Sequence, residues 1–213
     1  MHGKLSALLV FLLTAGSALP SLAATDAYVG GYVGWNSPHD FQNIDPSFIR
    51  GNNLRLESGP VYGVRLGAYH STLRWIGAEL DISNTHLQLG QQRHALTTGG
   101  TVATQGASLR VTSVAPLLMV RCLSLDKWMP YAGIGPAFFF ANLSNAQGHS
   151  SDNAAIGFRA KGGVEYHLTP VVGLFTEYQF AWTRLDLQLP TNSQAMRGDY
   201  QGHQAVLGVA YHF

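Results

Sequence analysis

Seven charged residues occupy the polar positions of alternating segments, where paired charges can do chemistry. Buried carboxylates that face cations can act as a general acid and base, or they can form structural ion pairs. Apolar neighbours alternate with each of these charges, and a period of two is typical of a β-strand with two unlike faces. We therefore expect structural ion pairs on one face of a sheet, with no catalytic, cofactor-binding or metal-binding residue among them. The seven are Arg65, Glu79, Asp81, Arg159, Lys161, Glu165 and Glu177.

The spacing of these charges around short turns predicts their partners. Tight turns after the second and sixth predicted strands place Arg65 opposite Glu79 and Lys161 opposite Glu177. Directly opposed side chains on one face of a sheet are close enough to bond. We therefore predict these two pairs as the centre of an interior network. Its other members are Asp81, Arg159 and Glu165.

Eight alternating segments must position the charged rows. Each is near or above the roughly nine to eleven residues that a tilted strand needs to cross a membrane. The gaps between them alternate between short and long, which is typical of barrels with short periplasmic turns and long external loops. The sequence therefore predicts an all-β fold, an eight-stranded antiparallel up-and-down transmembrane β-barrel with four long external loops. The segments cover roughly residues 26–36, 60–70, 74–86, 107–123, 129–142, 154–167, 171–186 and 202–213.

The lipid environment determines which face of each strand points inward. An Arg or Lys that faces lipid near the midplane costs about 2–4 kcal/mol, so the charged rows must face the interior. An eight-stranded barrel is just wide enough for side chains to fill it. The paired charges therefore favour a plug of side chains over an open pore, and the many inward glycines are expected to make room for larger polar groups.

The first residues have the three parts of a secretory signal peptide. His2 and Lys4 form a short basic start, residues 5–13 an apolar run, and a small-x-small site follows. We expect residues 1–23 to be removed on export and residues 24–213 to form one barrel domain in the bacterial outer membrane.

The composition excludes several other classes of protein. Only 12% of the residues are charged, against about a quarter in typical soluble domains. Beyond residue 24 no run of apolar residues is long enough for a transmembrane helix. The 13 basic and 12 acidic residues become equal once Lys4 is removed, so no electrostatic case for nucleic acid remains. Cys122 is the single cysteine and allows no internal disulfide, and the nine histidines show no metal-binding spacing.

Aromatic residues near the predicted strand ends are expected to form two girdles, where amphipathic rings settle at the level of the lipid headgroups. The periplasmic girdle comprises Tyr28, Trp75, Trp128, Tyr131, Tyr166, Tyr211 and Phe213, and the external girdle Trp35, Phe140 and Trp182.

Four segments resemble those of a known superfamily. Residues 28–35 (YVGGYVGW), 62–67 (YGVRLG) and 77–81 (GAELD) look like its opening strands, and residues 130–136 (PYAGIGP) resemble its recurrent Pro-Tyr-x-Gly-x-Gly pattern. The chain resembles the small outer-membrane β-barrel proteins of the OmpA membrane-domain, OmpX/Ail and opacity-protein type. The resemblance implies outer-membrane lipid and lipopolysaccharide as surroundings, and a role in envelope integrity or in surface interaction and adhesion. Loops 37–59 and 87–106 are the expected contacts for a host or cell-surface ligand.

The last predicted strand carries a candidate assembly signal. Leu207, Val209, Tyr211 and Phe213 form one apolar row, which resembles the signal read by the barrel-assembly machinery. We expect deletion of Phe213 to impair membrane assembly more than truncation of any one loop.

Two alternatives to the interpretation of this chain as a non-enzymatic, plugged barrel stay open. A barrel hydrolase acting on lipid A or peptides needs a nucleophile beside a base, and the dipeptides His70-Ser71 and His149-Ser150 are the candidates. The first lies at a predicted periplasmic turn and the second in a loop. A small pore or hydrophobic-ligand conduit is the other alternative, and the paired inward charges argue against it.

Overall fold

The computed structural model describes most of the chain beyond the predicted leader, which itself lies outside the described residues. Nowhere in the described part is there a helix that is long and apolar enough to cross a membrane. The described residues are 26–39, 49–50, 56–89, 92–96, 101–104, 107–123, 127–144, 150–188 and 195–213.

Eight long strands form the barrel wall, and we number them in chain order. Every strand pairs antiparallel with the next, and the first pairs with the last, so the sheet closes on itself. Closure leaves no unpaired strand edge in the wall. The predicted eight-stranded up-and-down barrel is therefore confirmed. The strands are β1 (Asp26–Pro38), β2 (Gly59–Tyr69), β3 (Ile76–Leu89), β4 (Ala107–Arg121), β5 (Trp128–Ser144), β6 (Ser150–His167), β7 (Val172–Gln188) and β8 (Ala195–His212).

The strand boundaries depart from the sequence-based ones mainly in the second half of the chain. Strands β5 to β8 extend into residues 143–153 and 187–201, which were predicted as loops three and four. In these segments Ser144 of β5 pairs with Ser150 of β6, and Gln188 of β7 pairs with Ala195 of β8. The polar residues of these loops therefore lengthen the wall on the side where β5 and β7 end.

Loops one and two, 37–59 and 87–106, carry short strands of their own. Leu56–Glu57 pairs with the end of β3. Ile49–Arg50, Gln92–Leu96 and Thr101–Thr104 form a separate three-stranded sheet, which we call the loop sheet. The two loops are thus joined to each other by backbone pairing.

The two faces of the wall follow the predicted alternation. Outward positions are apolar and open to the surroundings, as at Val33, Leu66 and Ile134, which are 66%, 58% and 58% exposed. Inward positions are buried, and they divide into a charged group and two apolar clusters, the larger of which lies mainly along β3 to β5 and includes Leu109 and Phe139. The core of this protein is therefore its lumen.

Two inward glycines of β2 make room for tyrosine rings. A Cβ added at Gly67 would lie 2.5 Å from the Tyr28 hydroxyl, and one at Gly63 would lie 2.5 Å from that of Tyr32. Both rings pass over β2 toward carboxylates of β3, so the absent side chains on β2 set the positions of two hydrogen-bond donors.

Gly208→Ala is expected to destabilise the barrel by about 1–3 kcal/mol, the usual cost of overpacking a filled interior. A Cβ there would overlap the Phe175 ring and the carbonyl oxygen of Gly31, and the backbone atom cannot move aside. Urea unfolding in detergent micelles measures the change. Gly31→Ala is the matched control, because nothing lies within 4 Å of a Cβ at that outward position. Equal unfolding midpoints for the two variants would contradict this packing.

Candidate functional site

The charged lumen contains all seven residues of the predicted network, and every one of them is buried. They come from the inward rows of β2, β3, β6 and β7. In an eight-stranded ring, β2 lies opposite β6 and β3 opposite β7. Charges from the β2–β3 hairpin and from the β6–β7 hairpin therefore meet at the centre of the lumen.

The predicted opposition of Arg65 and Glu79 is wrong. Arg65 lies opposite Asp81 in the observed register, because Tyr69 pairs with Gly77. The turn is thus centred one residue later than expected, and one residue at a turn moves the register of the strands by two.

The predicted opposition of Lys161 and Glu177 is wrong for the same reason, since Lys161 lies opposite Gln179. The two charged groups nevertheless meet: Lys161 Nζ lies 3.1 Å from Glu177 Oε2. Glu177 is two positions from Gln179 along β7, so it is a diagonal neighbour of Lys161. Diagonal neighbours on the same face of a sheet remain within reach of a long side chain.

Arg65 is the cation at the centre of the lumen. Its guanidinium lies 2.8 Å from Glu165 and 3.4 Å from Glu177, both on the opposite wall. It also donates a 2.9 Å hydrogen bond to the Tyr131 hydroxyl, and its Cζ lies over the Phe175 ring, 3.5 Å from the ring centre. The guanidinium is therefore held on its faces and its edges, which suits a fixed structural charge.

Lys161 and Arg159 hold the carboxylates that β3 contributes. Lys161 Nζ contacts Glu79 and lies 3.6 Å from Asp81. Arg159 contacts Asp81 and donates hydrogen bonds of 2.9 and 2.5 Å to the Ser83 and Ser113 hydroxyls. Each of these cations thus faces at least one carboxylate, which is the arrangement that makes buried charges tolerable.

Tyrosines complete the network, and two of them correct the predicted girdle. Tyr28 and Tyr131 lie buried in the lumen, not at the lipid surface. Tyr28 donates a 2.6 Å hydrogen bond to Glu79, Tyr131 a 2.8 Å bond to Glu177, and Tyr32 a 2.9 Å bond to Asp81. The sequence contains an indication of this placement, because these tyrosines occupy the same alternate positions along their strands as the inward glycines.

A second group of charges closes the end of the lumen where β8 finishes, and residue spacing gave no sign of it. Asp26 of β1 contacts Arg121 of β4 and lies 2.9 Å from His212 Nδ1. His212 Nε2 lies 2.6 Å from Glu165 Oε1, and His167 Nε2 lies 3.7 Å from the same oxygen. We call Asp26, Glu165, His167 and His212 the end cluster.

The candidate assembly row lies on the outward face of β8. All four side chains are exposed, and the rings of Tyr211 and Phe213 meet edge to face with centres 5.2 Å apart. Their role in assembly stays a prediction. The row comprises Leu207, Val209, Tyr211 and Phe213.

Within the described residues, the structure shows no catalytic arrangement at the candidate hydrolase dipeptides. His70 Nδ1 accepts hydrogen bonds from the backbone amides of Thr72 and Leu73, so its imidazole stabilises the turn between β2 and β3. His149 lies outside the described residues.

The family described as outer membrane protein beta-barrel domain matches residues 6–213. The chain belongs to this family. Its location is accordingly the bacterial outer membrane, and the outward rows of the barrel face lipid. The matched range begins inside residues 1–23, whose removal as a signal peptide stays a prediction.

Solved structures show the same outer-membrane β-barrel fold at low sequence identity. OprG from Pseudomonas aeruginosa is 15% identical with a TM-score of 0.59, covering 90% of this chain and 96% of its own. Neisserial surface protein A is 14% identical with a TM-score of 0.58, covering 88% and 97%. The attachment invasion locus protein Ail of Yersinia pestis, in complex with the heparin analogue sucrose octasulfate, is 12% identical with a TM-score of 0.52, covering 89% and 98%. No curated protein sequence matches this member of the family at a significant level.

Proposed function

We propose that this barrel is a non-enzymatic surface-interaction protein that acts through its external loops, with a lumen that serves as a structural plug. The observation that carries the proposal is the charged lumen: Arg65, Arg159 and Lys161 bind carboxylates of the opposite wall in the middle of the barrel. Such an arrangement fills the path that a solute would take. It leaves the external end as the part of the molecule that is free to meet a partner.

The loop sheet supports loops 37–59 and 87–106 as the contact surface. Ile49–Arg50 from loop one pairs with Gln92–Leu96 from loop two, so the two loops support each other above the barrel. Binding residues are commonly placed on loops that a rigid scaffold positions. Loop two contains one arginine, Arg93, and no carboxylate, which favours a neutral or anionic partner such as a glycan or an acidic protein surface.

The test compares bacteria that express the protein with an isogenic deletion strain, scored for binding to epithelial monolayers and to heparin-coated surfaces. Heparin is included because the Ail structure holds a heparin analogue. The key variant replaces residues 92–104 with a Gly-Ser linker of equal length, and its control replaces residues 145–149 in the same way. We expect expression to increase binding, the 92–104 variant to lose the increase, and the control to keep it.

A second measurement separates adhesion from a purely structural role. Uptake of a membrane-impermeant dye is followed in the same strains. Equal binding by expressing and deletion strains, together with dye leakage only in the deletion strain, would replace the surface-interaction proposal with envelope integrity. Altered lipid A acylation on expression, or stable conductance in planar bilayers, would overturn the non-enzymatic plug.

A further inference from the structure

We propose that Glu165, His167 and His212 form a binding site for a divalent transition-metal ion of the Zn²⁺ class at the periplasmic end of the lumen. One ligand atom from each residue lies within 4.8 Å of the other two. Glu165 and His167 end β6 and His212 ends β8, so an ion there would join two strands that are separated by β7.

The donor set has the chemistry that zinc prefers. Two imidazoles and one carboxylate are a recurrent set of three protein ligands for Zn²⁺, with water in the fourth position. Magnesium and calcium prefer oxygen ligands, so two imidazoles select against them. The end cluster therefore points to zinc or a neighbouring transition metal.

Asp26 prepares His212 for this role. Its carboxylate lies 2.9 Å from His212 Nδ1 and accepts a hydrogen bond from the N–H group at that nitrogen. In metal sites the ligating histidine donates its second ring N–H to such a carboxylate, which fixes the tautomer and raises the basicity of the ligand. His212 Nε2 is thereby directed at Glu165 Oε1, 2.6 Å away, and a metal ion would replace the proton that these two atoms share.

Gly173 shapes the site from β7. A Cβ at this position would overlap the Glu165 carboxylate, so the glycine lets that side chain lie across β7 and reach toward β8. The missing side chain at Gly173 thus leaves the space that the Glu165 carboxylate occupies.

Cations nearby hold the remaining oxygens and leave the ligand oxygen available. Arg65 lies 2.8 Å from Glu165 Oε2, and Arg121 contacts Asp26 Oδ2. Within the described part of the chain, the charged groups beside Glu165 Oε1 are His212 and His167. His167 has 26% of its side chain exposed, whereas His212 and Glu165 are nearly covered, so an ion would enter past His167.

Isothermal titration of the purified, untagged protein in detergent micelles with Zn²⁺ tests the site, with Mg²⁺ as the comparison ion. We expect one Zn²⁺ per chain with micromolar or tighter affinity, and no measurable binding of Mg²⁺. His167→Ala and Gly173→Ala should each weaken zinc binding by at least about tenfold, the scale on which metal affinity responds to loss of a supporting group. His70→Ala removes an exposed histidine at the same end of the barrel and should leave the affinity unchanged.

A second measurement needs no variant. Zinc that binds only the folded state must raise the urea concentration at the unfolding midpoint as its concentration rises. The proposal is overturned if saturating Zn²⁺ leaves that midpoint unchanged. It is equally overturned if the folded His167→Ala protein binds zinc as tightly as the wild type, or if His70→Ala weakens binding as much as His167→Ala does.

Discussion

Arg65→Met is expected to lower the free energy of unfolding by about 3–5 kcal/mol, the cost of removing one partner from a buried ion pair. The substitution leaves the carboxylates of Glu165 and Glu177 without the guanidinium that binds them, while methionine keeps most of the apolar contact with Phe175. Urea unfolding in lipid vesicles or detergent micelles, followed by tryptophan fluorescence, measures the loss.

Two further variants isolate the charge effect. Arg74→Ala removes an exposed arginine from the turn after β2, and such surface changes usually stay within about 0.5 kcal/mol. Arg65→Met combined with Glu165→Gln should recover part of the loss, because it removes one carboxylate together with the cation. A loss for Arg65→Met as small as that for Arg74→Ala would show that the lumen tolerates an unpaired charge.

Ile134→Arg is expected to destabilise the membrane-embedded barrel by about 2–4 kcal/mol, the cost of a cation on the lipid face near the midplane. Ile134 is 58% exposed on the outward row of β5, midway between the exposed rings of Trp128 and Phe140. Trp128 and Phe140 belong to the two predicted aromatic girdles, so we expect Ile134 to lie near the centre of the lipid layer. Unfolding in lipid vesicles is the appropriate measurement.

Val171→Arg provides the matched control at another depth. Val171 is an exposed apolar residue at the turn before β7, where a cation reaches water and the cost falls to about 0–1 kcal/mol. Equal penalties for the two variants would contradict the proposed depth of the barrel in the membrane.

The alternation of side chains was enough to predict the faces of the barrel, because lipid on one side and a packed lumen on the other leave each position a single choice. The partners could not be predicted in the same way. A shift of one residue in the turn after β2 moves Arg65 from Glu79 to Asp81 as its opposite residue. The contact to Glu165, 100 positions away in the sequence, depends on closure of the whole ring and on no local spacing.

The end cluster illustrates the same limit. Asp26 and His212 are 186 positions apart and meet only because β1 pairs with β8. Motif searches rely on short spacings along one strand or helix. Closure of the ring brings together residues that are far apart in the sequence, so no such spacing relates them. Tyr28 is a different case. The alternation of side chains along β1 placed it on the inward row, whereas its position near the end of a predicted strand suggested the girdle.

The pairing of charges across the lumen has a consequence for biogenesis. The β2–β3 hairpin carries Arg65 and two carboxylates, and the β6–β7 hairpin carries the cations and carboxylates that neutralise them. Neither hairpin can enter lipid alone without bringing charges whose partners have not yet arrived. We therefore expect the two hairpins to enter the membrane together, with insertion coupled to closure of the ring, because each lacks some of its charge partners until the other is in place.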